Sequence, residues 1–265
     1  MNKTVNERRI SMKWDADYYK NQFGFVADYG TSLLDWINPT KLETPSLIDL
    51  GCGDGRLSAK LQRLGYKVIG IDSSNQQIKK AKDEHPLIHF KQEDMTLFSV
   101  KQPVDVIFSN AAFHWLTKQE NKKMLHHVFD ALKPDGQLVF EMGGYGNNKH
   151  IHLALENAFK KRNLTYHHGF YFPNIGEYSS LIDDVGLQTT KIELFPRPTP
   201  LNGANGLSNW IHFFVQRPFT QLNISKEIKE EIIDEVVEVL RPKLYQDDEW
   251  FADYVRLRGH AIKPN

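Results

Sequence analysis

A chain of 265 residues can bury one large core and sits near the upper end of what a single core organises, so one domain with an elaboration is expected. Lys plus Arg and Asp plus Glu each total 33, a formal net charge of zero, which supplies no field to gather nucleic acid and argues against a DNA or RNA partner. One cysteine, Cys52, excludes an intramolecular disulfide framework and a four-thiolate metal site and suits a reducing cytoplasm; no secretory apolar region opens the chain and no apolar run reaches membrane-spanning length.

In chain order, "YYKNQFGFVADYGTSLLDWINP" places Phe25, Tyr29, Leu33, Leu34 and Ile37 at helical spacing before Pro39, and reads as a leading helix near the ligand edge of a sheet. "SLIDL", "KVIGID", "LIHFKQED", "VDVIFSN" and "QLVFEM" read as strands. Helical spacing marks the segments between them, at Leu57, Leu61 and Leu64, and again at Leu125, Val128, Phe129 and Leu132 before "KPDG" stops the helix. Near-continuous apolar strands alternating with helices predict an α/β fold, a doubly wound and mostly parallel sheet covered on both faces. Further helices are expected at about 149–162 and 175–185, a strand at "TTKIELF", and a last strand within "WFADYVRLRGHAI". Between those strands, "PRPTPLNGANG…" opens an insertion rich in Pro and Gly. It ends as an amphipathic helix (Ile228, Ile232, Ile233, Val236, Val237, Leu240). The expected organisation is a core over residues 1–145, with 146–265 completing the sheet and supplying a substrate cap at about 203–246.

In "DLGCGDG" the glycines fall at 51, 53 and 55, after a strand and at the start of a helix, where glycine permits a sharp turn and close approach to a ligand. A dinucleotide fingerprint needs its third glycine one residue later, where Arg56 stands. Asp49 before the loop would repel a pyrophosphate and suits a cofactor bearing a cation. Asp72 ends the second strand, 21 positions after Gly51, where a carboxylate can accept from both ribose hydroxyls; capping of the next helix is its plain alternative. "QEDM" offers Asp94 for an adenine amino group and Met95 for the ring face. "FSNAAFHWL" offers Asn110, Ala111, His114 and Trp115. All lie at carboxyl ends of strands, where open α/β sheets bind ligands.

Together, "DLGCGDG", the acidic end of strand two, "EDM", "DVIFSNAAFHWL" and "ALKPDGQLVFE" resemble class I S-adenosylmethionine-dependent methyltransferases. With "WDADYYKNQFGFVADYGTSLLDWINP" and "FEMGG", the chain is similar to the trans-aconitate methyltransferase group acting on small carboxylic acids. The resemblance implies a Rossmann-like, seven-stranded sheet with an antiparallel last strand, and S-adenosylmethionine as cofactor, leaving as S-adenosylhomocysteine. It assigns the methionine moiety to Asp49, Gly51, Gly53 and Gly55, the ribose to Asp72, with Ser73 and Gln77 beside it, and the adenine to Asp94 and Met95. Asn110 and Ala111 would contact the methionine part, and Tyr19 of the leading helix would close over the sulfonium. Two positions depart from that group: Phe23 stands where many members have His, and Glu93-Asp94 replaces Ala-Asp.

A carboxylate acceptor needs no general base; a phenol, amine or hydroxyl would make His114 the first candidate. Trp115 and Tyr145 are candidate substrate contacts, with packing as the alternative for Trp115. Arg197, Arg217, Arg241, Arg256 and Arg258 include candidate carboxylate clamps. His150, His152, His167 and His168 lack convergent metal-ligand spacing, so no metal is expected. The expected activity is O-methylation of a small carboxylic acid, the alternative a malonyl-carrier-protein methyltransferase. A non-catalytic S-adenosylmethionine-binding protein and a nicotinamide oxidoreductase are the readings from other classes. A small-molecule substrate is expected, with neither nucleic acid nor membrane as partner; monomer and dimer both remain open.

Overall fold

A computed structural model describes residues 31–40 and 42–265. Most of the leading helix read from the sequence, including Tyr19, Phe23, Phe25 and Tyr29, lies outside the described residues. The part within them is α1 (Thr31–Leu34), which buries Leu33.

The core alternates strand and helix as expected: β1 (Ser46–Leu50), α2 (Arg56–Arg63), β2 (Lys67–Asp72), α3 (Asn75–Glu84), β3 (His89–Gln92), β4 (Val104–Asn110), α4 (Lys118–Ala131) and β5 (Leu132–Gly143). After these come α5 (Lys149–Lys160), α6 (Ile175–Asp184), β6 (Gln188–Leu201), α7 (Gly206–Phe214), α8 (Gln216–Gln221), α9 (Lys226–Leu244), the two-residue β7 (Tyr245–Gln246) and β8 (Glu249–Ile262). Strand order is β3-β2-β1-β4-β5-β8-β6, with β7 on β8. β1 to β5 pair in parallel, and β8 enters antiparallel between β5 and β6. The expected parallel sheet with an antiparallel last strand is therefore present.

Each face of the sheet carries its own apolar layer, as period-two alternation requires. Ile48, Leu50, Ile107, Leu138 and Phe140 pack with Leu125 and Val128 of α4 and Tyr178 and Ile182 of α6. Leu47, Val106, Phe108 and Val139 pack with Leu57 and Leu61 of α2, Ile78 of α3, and Leu33 and Ile37. Leu64, read as the third core position of α2, is instead 61% exposed, because it falls at the C-cap where the helix has already turned away. α4 is closed at its start by a capping box between Thr117 and Glu120. "KPDG" lies within β5 as an irregularity, Val104 pairing Leu132 and Val106 pairing Gln137, with Asp135 at φ 61°.

The stretch "PRPTPL", read as the Pro-rich opening of an insertion, is strand. β6 runs on to Leu201 and pairs with β8 rung by rung as far as Trp250. Pro196, Pro198 and Pro200 share one parity on this edge strand, and their missing N–H groups face away from β8, while Arg197, Thr199 and Leu201 keep the ladder. β5 stops pairing at Gly143↔Arg256. Beyond that rung β6 and β8 continue as a two-stranded arm, and α7, α8 and α9 are inserted at its tip. A third apolar cluster joins Trp250 and Tyr254 of the arm to Ile151, Leu155 and Phe159 of α5, Trp210 of α7, and Ile232, Ile233 and Val236 of α9. Among the described residues no helix is long and apolar enough to cross a membrane.

Candidate functional site

The loop between β1 and α2 is pinned from behind: the N–H groups of Gly51 and Cys52 both donate to the carbonyl of Ile71, at 2.7 and 3.0 Å. Its three glycines have different reasons to be glycine. A Cβ on Gly51 (φ +82°) would lie 2.3 Å from Ala112 Cβ and 3.4 Å from Met95 Cε; one on Gly55 (φ +80°) would lie 2.7 Å from the Phe90 ring. Those two let neighbouring elements close up. Gly53 (φ +54°) has nothing within 4 Å of its missing Cβ, so there the loop opens onto space. Gly53→Ala should therefore cost the fold only about 1–2 kcal/mol for a left-handed alanine, yet weaken binding of the S-adenosylmethionine that the sequence resemblance implies tenfold or more in titration calorimetry. Unchanged affinity would show that the ligand does not reach this loop.

Asp49, at 1% exposure, is the most enclosed carboxylate of the site. Its Oδ2 accepts from Ser58 Oγ at 2.6 Å, and among the described residues no cation pairs with it. Burial, with a smaller push from the charges of Asp72 and Asp54 and against the Ser58 hydrogen bond, raises it to about 7. Asp72 braces the loop, accepting from the N–H of Gly53 at 3.0 Å and of Ser74 at 2.8 Å; burial pushes its carboxyl up, against those bonds. The cap of α3 is Ser74, whose Oγ accepts from the Gln77 N–H, so the helix cap is not what Asp72 supplies. Gln77 is 5% exposed and its Oε1 has no partner among the described residues. Ser73, by contrast, is at the surface and its carbonyl accepts from Gln92 Nε2. The Cys52 thiol is buried and pushed up by that burial and the neighbouring carboxylates, which makes it packing rather than a nucleophile.

After β3, Asp94 Oδ1 accepts from both the N–H and the hydroxyl of Thr96, each at 2.8 Å, and so holds the turn that sets Met95 against Gly51. At the end of β4, beyond Asn110, Ala111 adopts a left-handed φ of 56° while its N–H donates to the carbonyl of Glu141 at 2.8 Å. That conformation costs an alanine about 1–2 kcal/mol. It swings Ala112 over Gly51 and starts the short 3₁₀ turn Phe113–Trp115.

His114 in that turn is 8% exposed, and its Nδ1 accepts from the Gly143 N–H at 3.2 Å. Burial, helped by the Arg256 charge, lowers it to about 3. The ring is thus neutral with its proton on Nε2: it offers a hydrogen-bond donor, and the general-base role open to it in the sequence does not fit this geometry. Trp115 meets Phe170 edge-on, with centroids 4.8 Å apart. Tyr145 follows the end of β5, 65% exposed, with its N–H donating to the carbonyl of Pro173.

The five candidate arginines separate on contact. Arg197 makes two bonds of 2.6 Å to Glu141, and Arg258 reaches the same carboxylate at 2.9 and 2.6 Å and continues to Ser32 of α1 at 2.8 Å. Arg241 is at the surface beside Glu238, and Arg217 lies against Gly169. Arg256 is 7% exposed, its guanidinium 4.2 Å over the Tyr254 ring and its charge felt by His114. It sits where β5 ends, the ligand end of the sheet. Glu141, central to this charge cluster, drew no attention in the sequence. Its one signal is strand parity, which puts Glu141 opposite Arg258 once the β5–β8 register is known. Among the described residues no group of three His, Cys, Asp or Glu could hold a metal ion.

Residues 47–136 match a family model described as a methyltransferase domain. The chain is 28% identical over 260 residues to an uncharacterised methyltransferase of Schizosaccharomyces pombe, covering 94% of this chain and 98% of that one. It is 29% identical to the malonyl-[acyl-carrier protein] O-methyltransferase of Bacillus cereus over 62% of each chain. To the trans-aconitate 2-methyltransferase of Escherichia coli K12 it is 30% identical, over 49% of this chain and 50% of that one. Among solved structures, phosphoethanolamine N-methyltransferase 2 of Haemonchus contortus, in complex with S-adenosylmethionine, has a TM-score of 0.60 at 15% identity, covering 100% of this chain and 61% of that one; this is a likeness of fold. The sheet order, the glycine loop and the matched segment define a class I methyltransferase domain. Residues 47–136 thus carry a methyltransferase domain.

Proposed function

We propose that this chain methylates a carboxylate oxygen of a small acid. The observation that carries the reading is the place of Arg256: a buried guanidinium opposite Gly143 at the end of β5, whose charge acts on the neutral His114. A planar cation in a low-dielectric site is suited to orienting a carboxylate through paired N–H donors.

S-adenosylmethionine, when bound, supplies a methyl group already activated by positive sulfur. The residues present fit it: the open face at Gly53, Asp49 with no cation beside it among the described residues, and Gln77 Oε1, buried without a partner among them, are what a cation-bearing nucleoside would satisfy. In this reading Asp49, Gly51, Gly53, Gly55, Asn110 and Ala111 hold the methionine part. Asp72, Ser73 and Gln77 hold the ribose side, Asp94 and Met95 the adenine, and Tyr19 closes the site. Arg256 places the acceptor, and the donor Nε2–H of His114 orients it, with Trp115 and Tyr145 at the rim. No residue has to remove a proton, because the carboxylate arrives ionised. The lone buried thiol of Cys52 supports a reducing, cytoplasmic setting.

Arg256→Met should lower kcat/KM for carboxylic acids at least a hundredfold while S-adenosylmethionine affinity stays within twofold, as measured with labelled cofactor and a panel of acids. Equal turnover in the variant would remove Arg256 as the clamp. The longer match to the malonyl-carrier enzyme favours a second reading, a carrier-bound malonyl group. The acidic run of α9, "KEIKEEIIDEVVEVL", opposes it, since acidic carriers need a basic face. Turnover of malonyl-carrier protein but of no free acid would decide for it.

A further inference from the structure

Helix α5 and the sheet meet across a layer of rings. Phe170 and Phe172, from the segment between α5 and α6, stack 5.5 Å apart. Both lie 6.0 Å from His114 on the sheet side, and 6.0 and 6.1 Å from His152 on α5. His152 is 8% exposed; its Nδ1 lies 2.8 Å from the Tyr166 hydroxyl, and its Nε2 is buried with no partner among the described residues. Burial keeps the Tyr166 phenol protonated, and its O–H donates to Nδ1 in one of the two tautomers that the contact allows. The imidazole proton then sits on Nε2. Burial and the neighbouring His168, 4.5 Å away between ring centroids, hold the ring neutral, at about 3. A buried N–H left unpaired is destabilising, and it is retained here beside two apolar rings that also border His114.

We propose that His152 sets which acid is accepted: its Nε2–H donates to a second oxygen function of the acceptor, remote from the carboxylate that receives the methyl group, with Phe170 and Phe172 walling the hydrocarbon between them. The acceptor is then a dicarboxylic or similarly oxygenated acid rather than a fatty one. This rests on the carboxylic-acid reading, and His152 acts as a specificity-determining residue that takes no part in the transfer.

The test compares a dicarboxylic acid with the monocarboxylic acid of equal chain length, in wild type, His152→Phe and His152→Gln, with S-adenosylmethionine affinity measured alongside. Wild type should favour the diacid at least tenfold in kcat/KM. His152→Phe should erase that preference through KM, leaving the monoacid within twofold, and His152→Gln, which keeps an N–H donor, should restore part of it. An equal loss for both acids in both variants, or a preference unchanged in His152→Phe, overturns the proposal while leaving the carboxylic-acid reading intact. A wild type that binds S-adenosylmethionine but methylates no carboxylic acid overturns both.

Discussion

Replacing Asp49 with Asn is expected to raise the melting temperature of the free protein while weakening S-adenosylmethionine about tenfold to a hundredfold, the loss of one charge-assisted contact. The opposite signs have one origin. The folded site holds Asp49 at about 7, above its ordinary 3.8. An acid raised in the folded state binds more protons folded than unfolded, so its contribution to stability falls as pH rises from about 4 to 7. At pH 8 the ionised carboxylate burdens the free protein by about 4 kcal/mol, and Asn removes that burden. A bound cation favours the carboxylate, so ligand binding expels a proton wherever Asp49 is still protonated. Wild-type affinity should accordingly rise about tenfold between pH 5.5 and 7 and flatten above, whereas the variant should give a flat profile. His114, at about 3, is silent in that window. Calorimetry across the range checks the prediction; a wild-type profile as flat as the variant's would remove Asp49 from the cofactor site.

Glu141→Gln should cost about 3–5 kcal/mol of folding stability, because two buried guanidinium groups then share one neutral amide. Arg197 and Arg258 have side-chain exposures of 13% and 8% against 3% for Glu141, so water cannot replace the lost charge. The damage should extend beyond stability. Arg258 carries the cluster on to Ser32 in α1, so loosening it should also release α1 from the sheet, read as faster amide exchange at 31–34. A change below about 1 kcal/mol in urea titration would mean that the three side chains are solvated as separate ions.

The parts of the site carried by short local patterns were legible in the sequence. The strand ends, the glycine spacing and Asp72 each depend on a few neighbouring residues, and the strands and the core helices fall where periodicity put them. Elements that depend on register were not legible. "RLRGH" does not say that Arg256 comes near His114 and Arg258 onto Glu141 until β8 is inserted between β5 and β6. The prolines at 196, 198 and 200 resembled a loop opening because their common parity matters only on an edge strand. The state of His114 follows from burial and from the N–H of Gly143, 29 residues away in sequence. His152 and Phe170 meet only because the segment after α5 folds back along that helix, for which the sequence carried no motif.

The arm formed by β6 and β8 brings Leu201 and Trp250 into register at its tip. Everything from 202 to 249 therefore closes a loop whose ends are already held, and loop-closure entropy grows only logarithmically: doubling such an insertion costs about 0.6 kcal/mol. The insertion can lengthen or shorten at little entropic cost while the β6–β8 pairing that holds its ends stays in place.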